Sequence, residues 1–492
     1  MRFKKWMRLF SSTNPPSPVI RQIHAEPPVL SRIKEQFKDC SDLTQREFPE
    51  LGITLFYFKH MVDPDLFERE LLAPLENIQA DETDELLQNS IFTRITDESV
   101  LVKKILSGWA ALFVQGTAYA VDIYGPDGRA IEQSETEGVI VGPHDAFTES
   151  PEANLSLIRR RVKSNQLKVQ TFTVGEVTNS KIFVLYIEGI ANMDYVNTMT
   201  QRIEAIETDA IFDATMLVQL IDDFPNSVFP VMLNTERPDV AASKLVEGKV
   251  VAIVEQSPSV ICGPTSFFEF FISPDDYYSR WAVGTATRLL RYAAFVITIS
   301  FTALYVSITT YHYEMIPDNL IATLTESRSR VPFPPVFEAL LMETTIELLR
   351  EAGARLPTKI GQTIGIVGGI VIGQAAVQAG FTSNILIIAV ASSAIASYVI
   401  PSYTMSASIR LIRFGLVIAA GVLGNFGLMA GIALVIIHLA KLTSLGAPYT
   451  MPVAPLKLRD WKDIFIRAPF WSLKSRPSQS LSMNKKYNKL KK

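Results

Sequence analysis

The chain has 492 residues, 48% of them hydrophobic, and a formal net charge of −3. Its charges are spread unevenly. Between Ile360 and Ala440 the only Asp, Glu, Lys or Arg residues are Arg410 and Arg413, and from Tyr292 to Tyr313 there are none. About 20 apolar residues cross the hydrocarbon core of a bilayer, so both stretches qualify and a purely soluble protein is excluded. Composition also excludes fibrous, disulfide-framework and wholly disordered classes.

In chain order, residues 1–30 read as a basic arm and a Pro-rich linker. Arg2, Lys4, Lys5 and Arg8 sit in MRFKKWMRLF, which is either a surface-seeking amphipathic arm or a frayed tail. Ser11 to Pro18 follows where a signal peptide would need a longer apolar core. Cys40 and Cys262 lie far apart without a CxxC or a His partner, which fits a reduced compartment and argues against a thiolate metal site.

Residues 31–280 mix charged and apolar residues at globular density and predict alternating helices and strands. Ile53 to Phe58 is a buried strand, and Asp63-Pro64 opens an amphipathic helix through Leu72. Strands at 109–115 and 118–124 flank Gly116-Thr117 as a hairpin. Ser150-Pro151-Glu152 starts a helix with Leu155, Ile158 and Val162 on one stripe. A second unit follows, with strands at 169–174 and 182–188, helices at 193–207, 213–222 and near 239–246, and strands at 249–254 and 259–261. The reading is an α+β or α/β cytosolic region of two subdomains, 31–155 and 156–284. His144 beside Asp145 reads as a loop residue, and Arg159, Arg160 and Arg161 as contacts to another subunit or an acidic partner. There is no P-loop, no GxGxxG after a strand, no HExxH and no GxSxG, so neither an enzyme nor a bound cofactor or metal is expected.

The remainder, 285–445, predicts an all-α polytopic transmembrane domain with spans near 289–310, 333–352, 360–378, 385–403, 405–423 and 426–443. Arg280, Arg288 and Arg291 mark the start of the first span as the cytoplasmic side. Six crossings place Arg350, Arg355, Lys359, Arg410, Arg413 and Lys441 on that same side, whereas five would place the tail outside. The tail, 446–492, is basic: from Lys457 onward it holds 11 Lys/Arg against Asp460 and Asp463. It is expected to touch anionic lipid rather than nucleic acid.

Carboxylates on a crossing helix must face protein or water. Glu343 and Glu347 therefore suggest a polar path through the membrane, with pairing to Arg350 or Arg355 as the alternative. Gly361, Gly365, Gly369 and Gly373 recur every four residues and let another helix approach closely. On the opposite side, Thr363, Val367, Ile370, Val371, Gln374 and Gln378 could line a conduit with an apolar constriction near 367–371. A tightly packed helix in a monomeric bundle reads equally well from these residues.

GPHDAFTESPEANLSLIRRR (142–161), TERPD (235–239), DDYYSRW (275–281) and YHYEMIP (311–317) carry a family likeness. It continues in PFPPVFEALLMETTIELLREAGARLPTKIGQ (332–362), SYVIPSY (397–403), IRLIRF (409–414) and GAPYTMP (446–452). The chain resembles the A subunit of spore germinant receptors, the GerA type of endospore-forming bacteria. The resemblance implies a multi-pass protein of the spore inner membrane with its soluble half and tail toward the cytosolic core. It implies a complex with a permease-like B subunit and a lipoprotein C subunit. It also implies a homo-oligomer, a pentamer in this family, acting as a nutrient-gated channel for monovalent cations. Two other readings stand beside it: a scaffold relaying signals for the B subunit, and a small-solute carrier, although no repeat of paired broken helices is found.

Overall fold

In a computed structural model, residues 26–78, 82–125, 134, 136–356, 369 and 371–486 are described. The arm at 1–25, Gly361, Thr363, Gly365, Val367, Ile370 and the last six residues lie outside them.

The first unit is a five-stranded sheet: β1 (Leu43–Phe48), β2 (Ile53–Phe58), β3 (Thr93–Ile95), β4 (Trp109–Val114) and β5 (Thr117–Asp122). The order is β1-β2-β4-β5-β3, antiparallel throughout. Successive side chains of a strand point to opposite faces, which explains why β2 is apolar at almost every position. Phe56 and Phe58 pack with Ile33 and Phe37, next to α1 (Leu30–Gln36), and with Leu101 and Ile105 of α2 (Glu98–Ile105). Ile53, Leu55 and Tyr57 pack with Leu71, Leu75 and Phe92 on the other face. The turn between β4 and β5 needs two left-handed residues, Gln115 at φ 48° and Gly116 at φ 83°, as a two-residue hairpin demands.

The second unit holds α3 (Pro151–Arg161), β6 (Leu167–Val174), β7 (Ser180–Ile187), α4 (Met193–Glu204) and α5 (Ala214–Ile221). It continues with β8 (Leu233–Thr235), α6 (Pro238–Glu247), β9 (Val250–Val254) and β10 (Val260–Gly263). Its order, β6-β7-β9-β10-β8, repeats that of the first sheet position for position, again antiparallel. The region is therefore α+β, built from one topology used twice. Two expectations change in detail. The helix expected through Leu72 starts on its Asp63 cap and Pro64, then widens into a π turn over Glu68–Leu72. Strands β1, β3 and β8 had no counterpart in the sequence reading.

The helical region comprises α7 (Trp281–Tyr311), α8 (Asp318–Arg328), α9 (Pro335–Arg355), a helical segment at 371–378, α10 (Asn384–Tyr398) and α11 (Tyr403–Lys441). Among the described residues, α7 and α11 are long and apolar enough to cross a membrane. However, α11 is not one rod. Gly424 leaves helical geometry at φ 61°, and a Cβ added at Gly431 would fall 2.5 Å from Leu416 Cδ2, so the chain folds back. Both arms of this hairpin return to one loop of the second unit. Ser408 Oγ donates to Val228 O at 2.5 Å, and His438 Nε2 lies 3.0 Å from Ser227 Oγ.

The hairpin tip packs at the opposite end of the bundle, where Asn425 N donates to His312 Nε2 and Tyr311 OH to Val422 O. That distal end also gathers Glu338, Arg328, Ser383 and Tyr305. At the proximal end, Arg350 donates to Ser397 and Ser406 donates to Ser397 O. Helices α7, α9, α10 and the two arms of α11 therefore each run from one end of the bundle to the other, with α9 and α10 pointing the same way, from the distal end to the proximal one.

The tail does not hang free. Thr265 N donates to Ser444 Oγ and Tyr449 OH to Pro230 O at 2.6 Å, seating the chain after α11 against the second unit. Further on, Arg476 Nε donates to Val246 O and Tyr195 OH to Gln479 O. The expectation of a lipid-touching basic tail is corrected for these residues. Arg467 and Arg476 are buried, with their guanidinium groups on backbone carbonyls.

Candidate functional site

The cationic triplet of α3 divides in three ways. Arg159 is fully buried, and its Nε and Nη2 donate to the two Asp42 carboxylate oxygens, both at 2.8 Å. Arg159 joins the two soluble units and is not presented to a partner, which corrects the sequence expectation. Arg161 pairs with Asp145, and Arg160 alone is exposed. His60 lies 3.8 Å from Asp42, where burial pushes its imidazole down to about 4 against the pull of the carboxylate. It is therefore neutral at pH 7 and adds no charge to this junction.

Inside the helical bundle, polar side chains form a column from end to end. At the proximal end Glu347 takes Arg410 at 3.1 Å and Arg350 at 3.6 Å. Midway, Glu343 meets Arg413 at 2.5 Å and accepts from Thr302 Oγ1 at 2.8 Å. Arg413 also donates to Ser393 Oγ, which in turn donates to Thr298 O. At the distal end Glu338 takes Arg328 at 3.3 Å and Ser383 N at 3.2 Å.

Glu343 and Arg413 are 1% and 0% exposed. An ion in so apolar a setting is stable only with its counter-charge and hydrogen bonds in place. Within the protomer Glu343 thus faces Arg413 of α11, not open space. The arginine partners considered from the sequence were Arg350 and Arg355. Arg350 does pair with Glu347, Arg355 pairs with Glu351 of its own helix, and the deep partner Arg413 was missed. One signal pointed to it: Arg410 and Arg413 are the only charges in eighty residues, and isolated charges at such depth need opposite partners.

The segment at 369–378 behaves differently. A Cβ added at Gly369 or Gly373 would meet nothing within 4 Å. Val371 is 57% exposed, and Gln374 and Gln378 are exposed as well. Among the described residues these two glycines pack against no helix, and the two amides are exposed. The other candidate residues of this stretch, Gly361, Thr363, Gly365, Val367 and Ile370, lie outside the described residues.

A tandem α+β region whose second unit holds both arms of a helical hairpin, in a bundle with two described helices long and apolar enough to cross a membrane, defines the class as a membrane-associated protein. Comparison with known proteins narrows the class. The family described as "Bacillus/Clostridium GerA spore germination protein" matches residues 31–479. Spore germination protein GerQA of Bacillus cereus is 42% identical over 439 residues, covering 88% of each chain. Spore germination protein KA of Bacillus subtilis (strain 168) is 38% identical over 463 residues, covering 91% of this chain and 85% of its own. Among solved structures, the N-terminal domain of the A subunit of the Bacillus megaterium spore germinant receptor GerK3 is 26% identical. It covers 50% of this chain and 99% of that one, at a TM-score of 0.39. The chain belongs to the GerA family of spore germination proteins.

Proposed function

We propose that this protein is the A subunit of a nutrient-germinant receptor of the spore inner membrane, working with a permease-like B subunit and a lipoprotein C subunit. Its helices cross the bilayer six times, with the soluble half and the tail on one side. It oligomerises, as a pentamer, so that the 360–378 stretch of each copy lines a conduit for monovalent cations. The observation that carries this reading is the contrast within the bundle. The described charges of the helices that cross are paired and buried near mid-depth, whereas Cβ atoms at Gly369 and Gly373 would meet no described residue and Val371, Gln374 and Gln378 are exposed.

Outward amides beside an apolar ring suit a water-filled lumen that closes by dewetting. Val367, Ile370 and Val371 would form that ring, with Thr363, Gln374 and Gln378 wetting its two ends. Gly361 and Gly365, with the two later glycines, would let neighbouring copies approach closely. Glu343 and Glu347, held by Arg413 and Arg410, would brace the wall behind the lumen. The exposed Arg160 is the one member of its triplet left for contact with another subunit.

The shared direction of α9 and α10 supports six crossings, because α9 ends at the soluble side, α10 starts at the far end, and the 360–378 stretch between them would supply the return. Reconstituting the chain alone in planar bilayers and recording current tests the proposal. Cation current that rises in Val371→Ala supports it; a silent bilayer with both proteins inserted contradicts it and leaves the scaffold role.

A further inference from the structure

A cavity of about 650 Å³ lies where the second soluble unit, residues 401–404 at the start of α11 and the tail at 463–477 meet. This volume suits a small molecule. Six carboxylates line it, those of Glu137, Glu236, Asp239, Glu247, Glu269 and Asp463, against one amine, that of Lys244. Four of the six already have a cation: Asp239 has Arg237, Glu247 and Glu269 have Lys244, and Asp463 lies 3.9 Å from Arg288. Glu137 and Glu236 have only hydroxyl and backbone donors among the described residues, from Thr235, Ser134 and Thr136. Beside them, Asn234 Oδ1 is buried with no hydrogen-bond donor among the described residues. A buried acceptor left unmade costs about 1–3 kcal/mol, so the wall is incomplete without a donor. Phe270 and Phe470 provide apolar surface on other walls.

We propose that this cavity binds a small organic cation bearing a primary ammonium group. Its N–H donors would serve Glu137, Glu236 and the Asn234 carbonyl, while its carbon chain lies against the aromatic walls. An ammonium has three donors and no acceptor, which matches a wall of surplus acceptors. The occupant would touch the soluble unit, the start of α11 and the tail together. Binding would therefore stiffen the joint through which the soluble half reaches the membrane helices. Burial pushes the Glu137 carboxyl up to about 7 against the Thr235 hydrogen bond. A cation would draw it back toward ionisation, so binding should tighten as pH rises through 7.

The test is calorimetric titration of the full chain in detergent with 1,6-diaminohexane, using 1,6-hexanediol as a neutral probe of the same length. Saturable binding of the diamine and none of the diol is expected. Glu137→Gln combined with Glu236→Gln should weaken it at least tenfold. Ser243→Phe, which fills the cavity from α6 without touching a carboxylate, should abolish it in a chain whose melting temperature is unchanged. No saturable binding, equal binding of both probes, or diamine binding retained in both variants would overturn the assignment. The titration reads binding whether or not the chain conducts.

Discussion

Helix α9 and the segment ending at Gln378 are neighbours in the chain, yet their polar groups meet opposite fates. In α9, Glu338, Glu343 and Glu347 turn inward to arginines on α8 and α11. In the segment, Val371 and Gln374 are exposed among the described residues. Charge at membrane depth is costly enough to dictate architecture, because it must be satisfied before the bundle can close. An amide costs less and can be left facing outward. The difference separates what holds the chain together from what it leaves exposed.

The sharpest way to break this comparison is to unpair the column. Glu343→Leu strands Arg413, and losing one member of a buried pair costs about 3–5 kcal/mol. Thermal unfolding of the solubilised chain should show that loss, and Glu343→Leu with Arg413→Leu should recover most of it. A smaller effect should follow at the seat of the tail. Tyr449→Phe leaves Pro230 O without its buried donor, at about 1–3 kcal/mol. Limited proteolysis should then cut the 450–480 stretch faster than in the parent.

Glu137 gives a pH-dependent effect. Its carboxyl sits at about 7 in the folded chain, against about 4.3 for a free glutamate. The sign follows: stability is fully present below the unfolded value and is lost as pH rises through 7. Glu137→Gln should melt above the parent at pH 8 and equal to it near pH 4, by scanning fluorimetry without added amine. The smallest effect on stability belongs to the outward segment. Val371→Ala and Gln374→Ala should each stay within about 0.5 kcal/mol of the parent, as exposed substitutions do, while changing current in reconstituted bilayers.

Much of this was legible in the chain. The run ITLFYF declared β2 because both faces of its sheet are covered, and Gly116 declared the hairpin of β4 and β5. Ser150-Pro151 marked the start of α3, and the break between the spans at 405–423 and 426–443 marked the fold of α11. Strands β3 and β8 have three residues each, too few for a period to register, and four of the six residues of β1 are polar at the edge of its sheet. The shared order of the two sheets leaves no mark, since topology constrains burial and not identity. Glu343 and Arg413 lie seventy residues apart, so only depth could have linked them. The docking of Arg476 was hidden for a different reason: its guanidinium is met by carbonyls, which every residue carries.

The most direct measurement places a cysteine at Gln374 in the Val371→Ala chain and another at Leu434, exposed on the second arm of α11. Both native cysteines are buried and should stay silent. A cationic thiol reagent should block the current of the Gln374→Cys protein and leave that of Leu434→Cys untouched. Equal insensitivity at both positions, with labelling confirmed by mass, would contradict a lumen formed by the 360–378 stretch.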